Sequence, residues 1–260
     1  MRFERFIKAM APVAVMALAT ALSGCDGANV RIDGDEGKPL SELDLGGAAP
    51  KGLVLLGPDE VRIRQGNGLA ITVDGDPAIV DALRFTLKDG TLGVLRKDGA
   101  WDGKGSAIVN VTMPAPESLV AAGSGSIRAE SLGSKAEVTI AGSGDVETMN
   151  VAAEALEVTI AGSGSYRAGG TATRLDLPVA GGGEAAWGAR KPDPADISIT
   201  GSGRSAFASD GKVKASIMGS GVVRVQGRAT CEVSATGSGK LVCEPAPQAE
   251  ARPRRKTGRS

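Results

Sequence analysis

Histidine is absent from all 260 residues, and that gap removes Ser-His-Asp and Cys-His catalysis and every histidine metal site. Cysteine occurs three times, so the chain cannot build a four-thiolate zinc centre. Aromatic side chains are only 3% of the sequence, as expected where stacked β-coils leave little room for rings. Charge of one sign is not in excess, with 30 basic and 30 acidic residues, which argues against nucleic acid as a partner. Beyond the N-terminal segment, no apolar run is long enough to cross a bilayer.

Glycine, by contrast, is abundant and periodic. A three-residue turn recurs as Gly123-Ser124-Gly125, Gly142-Ser143-Gly144, Gly162-Ser163-Gly164, Gly181-Gly182-Gly183, Gly201-Ser202-Gly203, Gly219-Ser220-Gly221 and Gly237-Ser238-Gly239. The spacings between first glycines are 19, 20, 19, 20, 18 and 18 residues, a period that signals a solenoid. Two residues before each first glycine stand Ala121, Ile140, Ile160, Val179, Ile199, Ile217 and Ala235, while five before stand Ser118, Glu137, Glu157, Asp176, Asp196, Lys214 and Glu232. That alternation is a strand with one buried face. Each repeat reads as strand, glycine turn, strand, return loop.

Antiparallel hairpins would also accept glycine loops, but a meander has no reason to keep every return connection the same length. A parallel β-helix does, because each coil pairs with the coils above and below. The fold class expected is therefore all-β, a parallel β-helix of about 19-residue coils with Gly-Ser-Gly turns. Seven coils about 4.8 Å apart make a rod roughly 34 Å long, whose two ends need covering against edge pairing.

Residues 1–24 read as a lipoprotein signal peptide. Arg2, Arg5 and Lys8 form a basic start, residues 9–21 an apolar stretch too short to span, and Leu22-Ser23-Gly24-Cys25 resembles a bacterial lipobox in which Cys25 would carry the lipid. The plain alternative is a secretory signal with an incidental cysteine. Without residues 1–24 the chain keeps 27 basic and 29 acidic residues. Residues 25–50 lack periodicity and read as a flexible tether. Asp26 resembles an inner-membrane retention signal, so the protein is expected to be lipid-anchored and periplasm-facing, with the choice of membrane open. Residues 51–116 are β-rich without the glycine turn and read as irregular N-terminal coils and a cap. Within them residues 78–85 are expected to form a short helix, capped by Asp76 with Pro77 at its first position. Residues 117–244 are the repeated coils. Residues 245–260, with three prolines and Arg252, Arg254, Arg255, Lys256 and Arg259, read as a disordered tail, solvated or held at anionic headgroups.

Val61-Arg62-Ile63-Arg64-Gln65-Gly66, Lys88-Asp89-Gly90-Thr91-Leu92, Val109-Asn110-Val111-Thr112-Met113-Pro114 and the Gly-Ser-Gly turns together resemble the head GIN domain of putative autotransporter adhesins, over roughly residues 53–244. The resemblance implies a right-handed parallel β-helix associated with the cell envelope. It supplies no catalytic residues or cofactors, and Gly181-Gly182-Gly183 departs from its turn pattern.

Several groups of residues are candidates for chemistry. Cys231 and Cys243, flanking the last turn in an oxidising compartment, are expected to form a disulfide if the coil narrows enough there; otherwise they are two small buried thiols. Glu137, Glu157, Asp176 and Asp196 would stack into an acidic column able to share Ca²⁺, or simply remain solvated. Thr139, Thr159, Ser198, Ser216 and Ser234 would line up as a hydroxyl ladder that could grip a sugar chain, or merely suit a polar face. Deviations gather in one coil, at Pro178, Gly182, Trp187 and Lys191-Pro192-Asp193-Pro194, so Trp187, Arg190 and Lys191 are the candidate ligand surface, although parity also turns Trp187 inward beside Phe207.

The function expected is that of a non-enzymatic envelope lipoprotein presenting an adhesin-like interaction surface to an envelope glycan or protein. The alternative is a β-helical polysaccharide-binding or polysaccharide-processing enzyme, which would need two carboxylates, or a carboxylate with Arg or Lys, converging in a groove. An autotransporter adhesin proper would need a membrane β-barrel after the repeats, and none follows.

Overall fold

A computed structural model describes residues 32, 35–97, 105–188 and 192–245. The strands before the repeats are β1 (Gly52–Leu56), β2 (Glu60–Gln65), β3 (Ala70–Asp74), β4 (Leu83–Lys88), β5 (Thr91–Arg96) and β6 (Ile108–Met113). The repeats contribute β7 (Ser118–Gly123), β8 (Ser126–Ser131), β9 (Lys135–Gly142), β10 (Asp145–Gly162), β11 (Ser165–Gly181), β12 (Glu184–Trp187), β13 (Ala195–Gly201), β14 (Arg204–Ala208), β15 (Lys212–Gly219), β16 (Val222–Gln226), β17 (Thr230–Gly237) and β18 (Lys240–Glu244).

The repeats stack as a parallel β-solenoid. Each turn glycine lies over the next, Gly123 on Gly142, Gly142 on Gly162, and so on through Gly181, Gly201 and Gly219 to Gly237. Equivalent side chains one period apart are thus vertical neighbours, and the apolar column Ala121, Ile140, Ile160, Val179, Ile199 and Ile217 is buried. Glycine is obligatory at Gly142: its φ is +114°, and a Cβ there would sit 2.6 Å from the carbonyl oxygen of Gly123. β10 and β11 each run unbroken through the return bend, as single strands of 18 and 17 residues. Pro178, expected to interrupt its strand, does not. β11 passes through it and pairs Pro178 with Ser198, while on the preceding coil the partners of Val158 and Thr159 drop out of the ladder.

The stack begins before the repeats, and out of order. β1 lies between β5 and β7, and β2 between β6 and β8, all parallel. The rung β1–β2 is therefore the second in space although first in the chain. Its corner is Gly57-Pro58-Asp59, and the Gly125 amide donates to the Gly57 carbonyl at 2.8 Å. An eighth turn of the same column thus sits in a region expected to lack one; Gly57 (φ +130°) repeats the backbone but not the Gly-Ser-Gly signature.

Two antiparallel strands close this end. β4 pairs with β5 through a two-residue turn at Asp89-Gly90, both at positive φ, and β3 pairs with β6. The expected helix over 78–85 shrinks to α1 (Pro77–Val80), with Asp76 accepting from the Ala78 amide as its cap; Leu83 onward is β4, because its alternating side chains fit against β5. Beneath the closure lies a buried ion pair. Arg96 donates to both carboxylate oxygens of Asp59 at 2.9 and 2.7 Å, and the Ala107 amide donates to Asp59 at 2.8 Å. Residues 35–50, expected as a free tether, pack on this end instead. Lys38 bridges Phe85, and Leu40, Leu43 and Leu45 rest on the core, which supplies the apolar contacts that hold the segment down.

Candidate functional site

Outward columns are what the solenoid offers chemically. On the strands entering the turns, Glu137, Glu157, Asp176 and Asp196 stand in register, continued by Lys214 and Glu232. The tips of Glu157 and Asp176 reach solvent, but coils press on both flanks. Burial first, then the charges of Glu137 and Asp176, raise the Glu157 carboxyl above its ordinary range. Asp176 is likewise raised by burial and by Asp196, against the pull of Arg174. Arg174 reaches Asp196 only at 3.9 Å. Among the described residues no group of three or more such ligands could hold a metal. The neighbouring hydroxyl ladder, Thr139, Thr159, Ser198, Ser216 and Ser234, is broken in the middle by Pro178.

The face formed by strands leaving the turns carries a groove of about 220 Å³. Its origin is one column, in which Arg167, Ala186, Ala206 and Arg224 follow each other on successive coils. Two alanines between two arginines leave a dip, walled by Glu184, Arg204 and Val222. Glu184 accepts from Arg204 at 3.0 Å, so its carboxylate is already engaged. Ser205, 3% exposed, lines the groove with its hydroxyl oxygen unpaired. Nothing in the sequence reading singled out this groove. The signal lay five residues after each first glycine, where Ala186 and Ala206 stand in place of the charges of Arg128, Glu147, Arg167 and Arg224.

The residues expected to form a ligand surface are not brought together. Trp187 is 7% exposed, is in register with Phe207 of the next coil, and meets Tyr166 edge-on with ring centroids 6.2 Å apart. It belongs to the core, where the Tyr166 hydroxyl pairs with Thr148 Oγ1 at 2.8 Å and burial pushes the phenol pKa upward. Arg190 and Lys191 lie outside the described residues, as do Cys25 and the basic tail. Cys231 and Cys243 are bonded, with Cα atoms 6.8 Å apart, so the last coil is narrow where the bond crosses it.

Comparison with known proteins places this geometry. Residues 49–229 match the family described as "Putative auto-transporter adhesin, head GIN domain". Among solved structures, a Bacteroides fragilis protein described as a putative adhesin aligns at 18% identity and TM-score 0.65, covering 76% of this chain and 92% of that one. A Parabacteroides distasonis protein described as a putative lipid binding protein aligns at 20% identity and TM-score 0.57, covering 75% and 93%. Another from the same species, described as a putative adhesin, aligns at 19% identity and TM-score 0.52, covering 76% and 93%. At these identities the likeness is one of fold. A comparison with curated proteins gives no match.

Proposed function

We propose, from the premise that the chain belongs to the auto-transporter adhesin head GIN domain family, that it is a non-enzymatic, lipid-anchored envelope protein whose solenoid presents an interaction surface. The observation that carries the reading is the outer face itself. Met149, Met218 and Val233 apart, large apolar side chains are packed inside, while charged and hydroxyl side chains stand outside in ladders at coil spacing. A rigid ruler of this kind suits contact with an extended envelope polymer or another protein. Acid–base cleavage of a glycan needs carboxyl groups converging across a bound bond; on the groove wall Glu184 is instead tied to Arg204.

The anchor rests on Leu22-Ser23-Gly24-Cys25. Radiolabelled fatty acid should be incorporated into the full chain and lost in Cys25→Ser; equal labelling of both would remove the anchor. For the surface, the purified protein should retain defined envelope glycans or proteins without altering them. Release of shortened glycan would make it an enzyme, and retention by phospholipid alone would ally it with the structural relative described as a putative lipid binding protein.

A further inference from the structure

The last coil is open. β17 pairs only with β15 and β18 only with β16 among the described residues, so eight residues of one strand and five of the other present an unpaired backbone edge. Side chains that would be core in any earlier coil come to the surface here. Val233 is 54% exposed, whereas Ala215 directly beneath it is 4% exposed. No proline or bulge interrupts Thr230–Gly237 or Lys240–Glu244. A long, straight, half-apolar edge of this kind pairs with another strand.

We propose that the occupant is a second copy of this chain, docked tail to tail. At the opposite end the outermost strands β3 and β4 run antiparallel to the stack, and residues 35–50 lie against β4 through the Lys38–Phe85 bridge, so that end offers no matching parallel rung and a closed twofold pair through the C-terminal edge is favoured over head-to-tail stacking. A twofold axis runs the apposed strands antiparallel, and the charges of β18 suit that arrangement. With Val242 on the axis, Lys240 faces Glu244 of the second copy, and Glu244 faces its Lys240. Both side chains are exposed and make no ion pair within their own chain among the described residues. β17 sets no like charges against each other when its antiparallel pairing centres on Val233 or Ser234, since its one charge, Glu232, is held by Lys212 at 3.0 Å. The chain's own tail is a poor competitor. Pro245, Pro247 and Pro253 remove ladder donors from it, and five of its residues are basic.

The test uses the full chain expressed in cells with an oxidising envelope. Val242→Cys places two thiols across the axis, about 5 Å apart at Cβ, within reach of a disulfide. A dimer band on non-reducing gels is expected from V242C and not from Arg224→Cys, one coil inward in the same column. Adding K240E to V242C should lower the linked fraction roughly tenfold, because two like-charge contacts replace two ion pairs, and adding E244K as well should restore it. Absence of the V242C band, or equal bands from V242C and R224C, overturns the dimer. A band that appears only after deletion of residues 246–260 assigns the edge to the tail instead. K240E without effect overturns the register about Val242.

Discussion

The two ends of the stack solve the same problem in opposite ways. At the N-terminal end the parallel ladder changes sign: β3 and β4 turn antiparallel, and the chain seals the joint with the Asp59–Arg96 pair, 0% and 2% exposed at the side chains. At the C-terminal end the ladder stops, among the described residues, at β17 and β18, one disulfide holds the coil shut, and core-facing Val233 meets solvent. The difference teaches that a repeat cannot terminate itself. Closure needs residues that break the repeat, and among the described residues this chain places β3, α1 and β4 at one end and no such element at the other.

The sharpest way to break the contrast is Arg96→Met. It leaves Asp59 buried, charged and without its bidentate partner, so a loss of about 3–5 kcal/mol is expected in denaturant melts. Next comes Gly142→Ala against Gly237→Ala, which share positive φ and a close carbonyl on the preceding coil. Gly142 is clamped between coils and should cost about 3 kcal/mol, whereas the last coil can shift outward and should lose about half as much; equal losses would mean the end is as rigid as the middle. Replacing Cys231 and Cys243 by serine removes about 2–3 kcal/mol of constraint, confined to the end. Hydrogen exchange should quicken in β17 and β18 and stay unchanged in β9.

The smallest effect is pH-dependent and runs in opposite directions in the two regions. Glu157 and Asp176 bind protons more tightly folded than unfolded, so their contribution is present in acid and lost as pH rises above their ordinary values of 4.5 and 3.8 through the raised ones. Glu60 is held low, chiefly by its hydrogen bond from Arg62 and then by Arg128, and its contribution is lost as pH falls below 4.5 through the lowered value. Glu157→Gln should therefore raise the unfolding free energy slightly at pH 7, by about a few tenths of a kcal/mol, and flatten the acid gain. A drop at pH 7 would show that the column is paired rather than strained.

Where the repeat rules, residue parity and turn spacing were enough to place Ile140 over Ile160 and Glu157 over Asp176. The N-terminal rungs were not legible in that way, because their register is set by pairings across 39 and 66 residues, Gly52 with Thr91 and with Ser118, that no local pattern announces. The Asp89-Gly90 hairpin was readable from its dipeptide and was overshadowed by the cap signal at Asp76-Pro77. The groove escaped because small side chains carry no chemical flag; only the columns on either side make Ala186 and Ala206 a depression.

The inserted rung dictates a schedule. During synthesis β1 and β2 emerge first, yet each is flanked by a strand from β5 or β6 on one side and from β7 or β8 on the other. The β4–β5 hairpin can form on its own, but the rung β1–β2 is flanked on both sides only once β8, ending at Ser131, has emerged, and closing those long loops is expected to be slow. Thereafter every further 18 to 20 residues completes one coil on a finished template, so growth becomes local and fast.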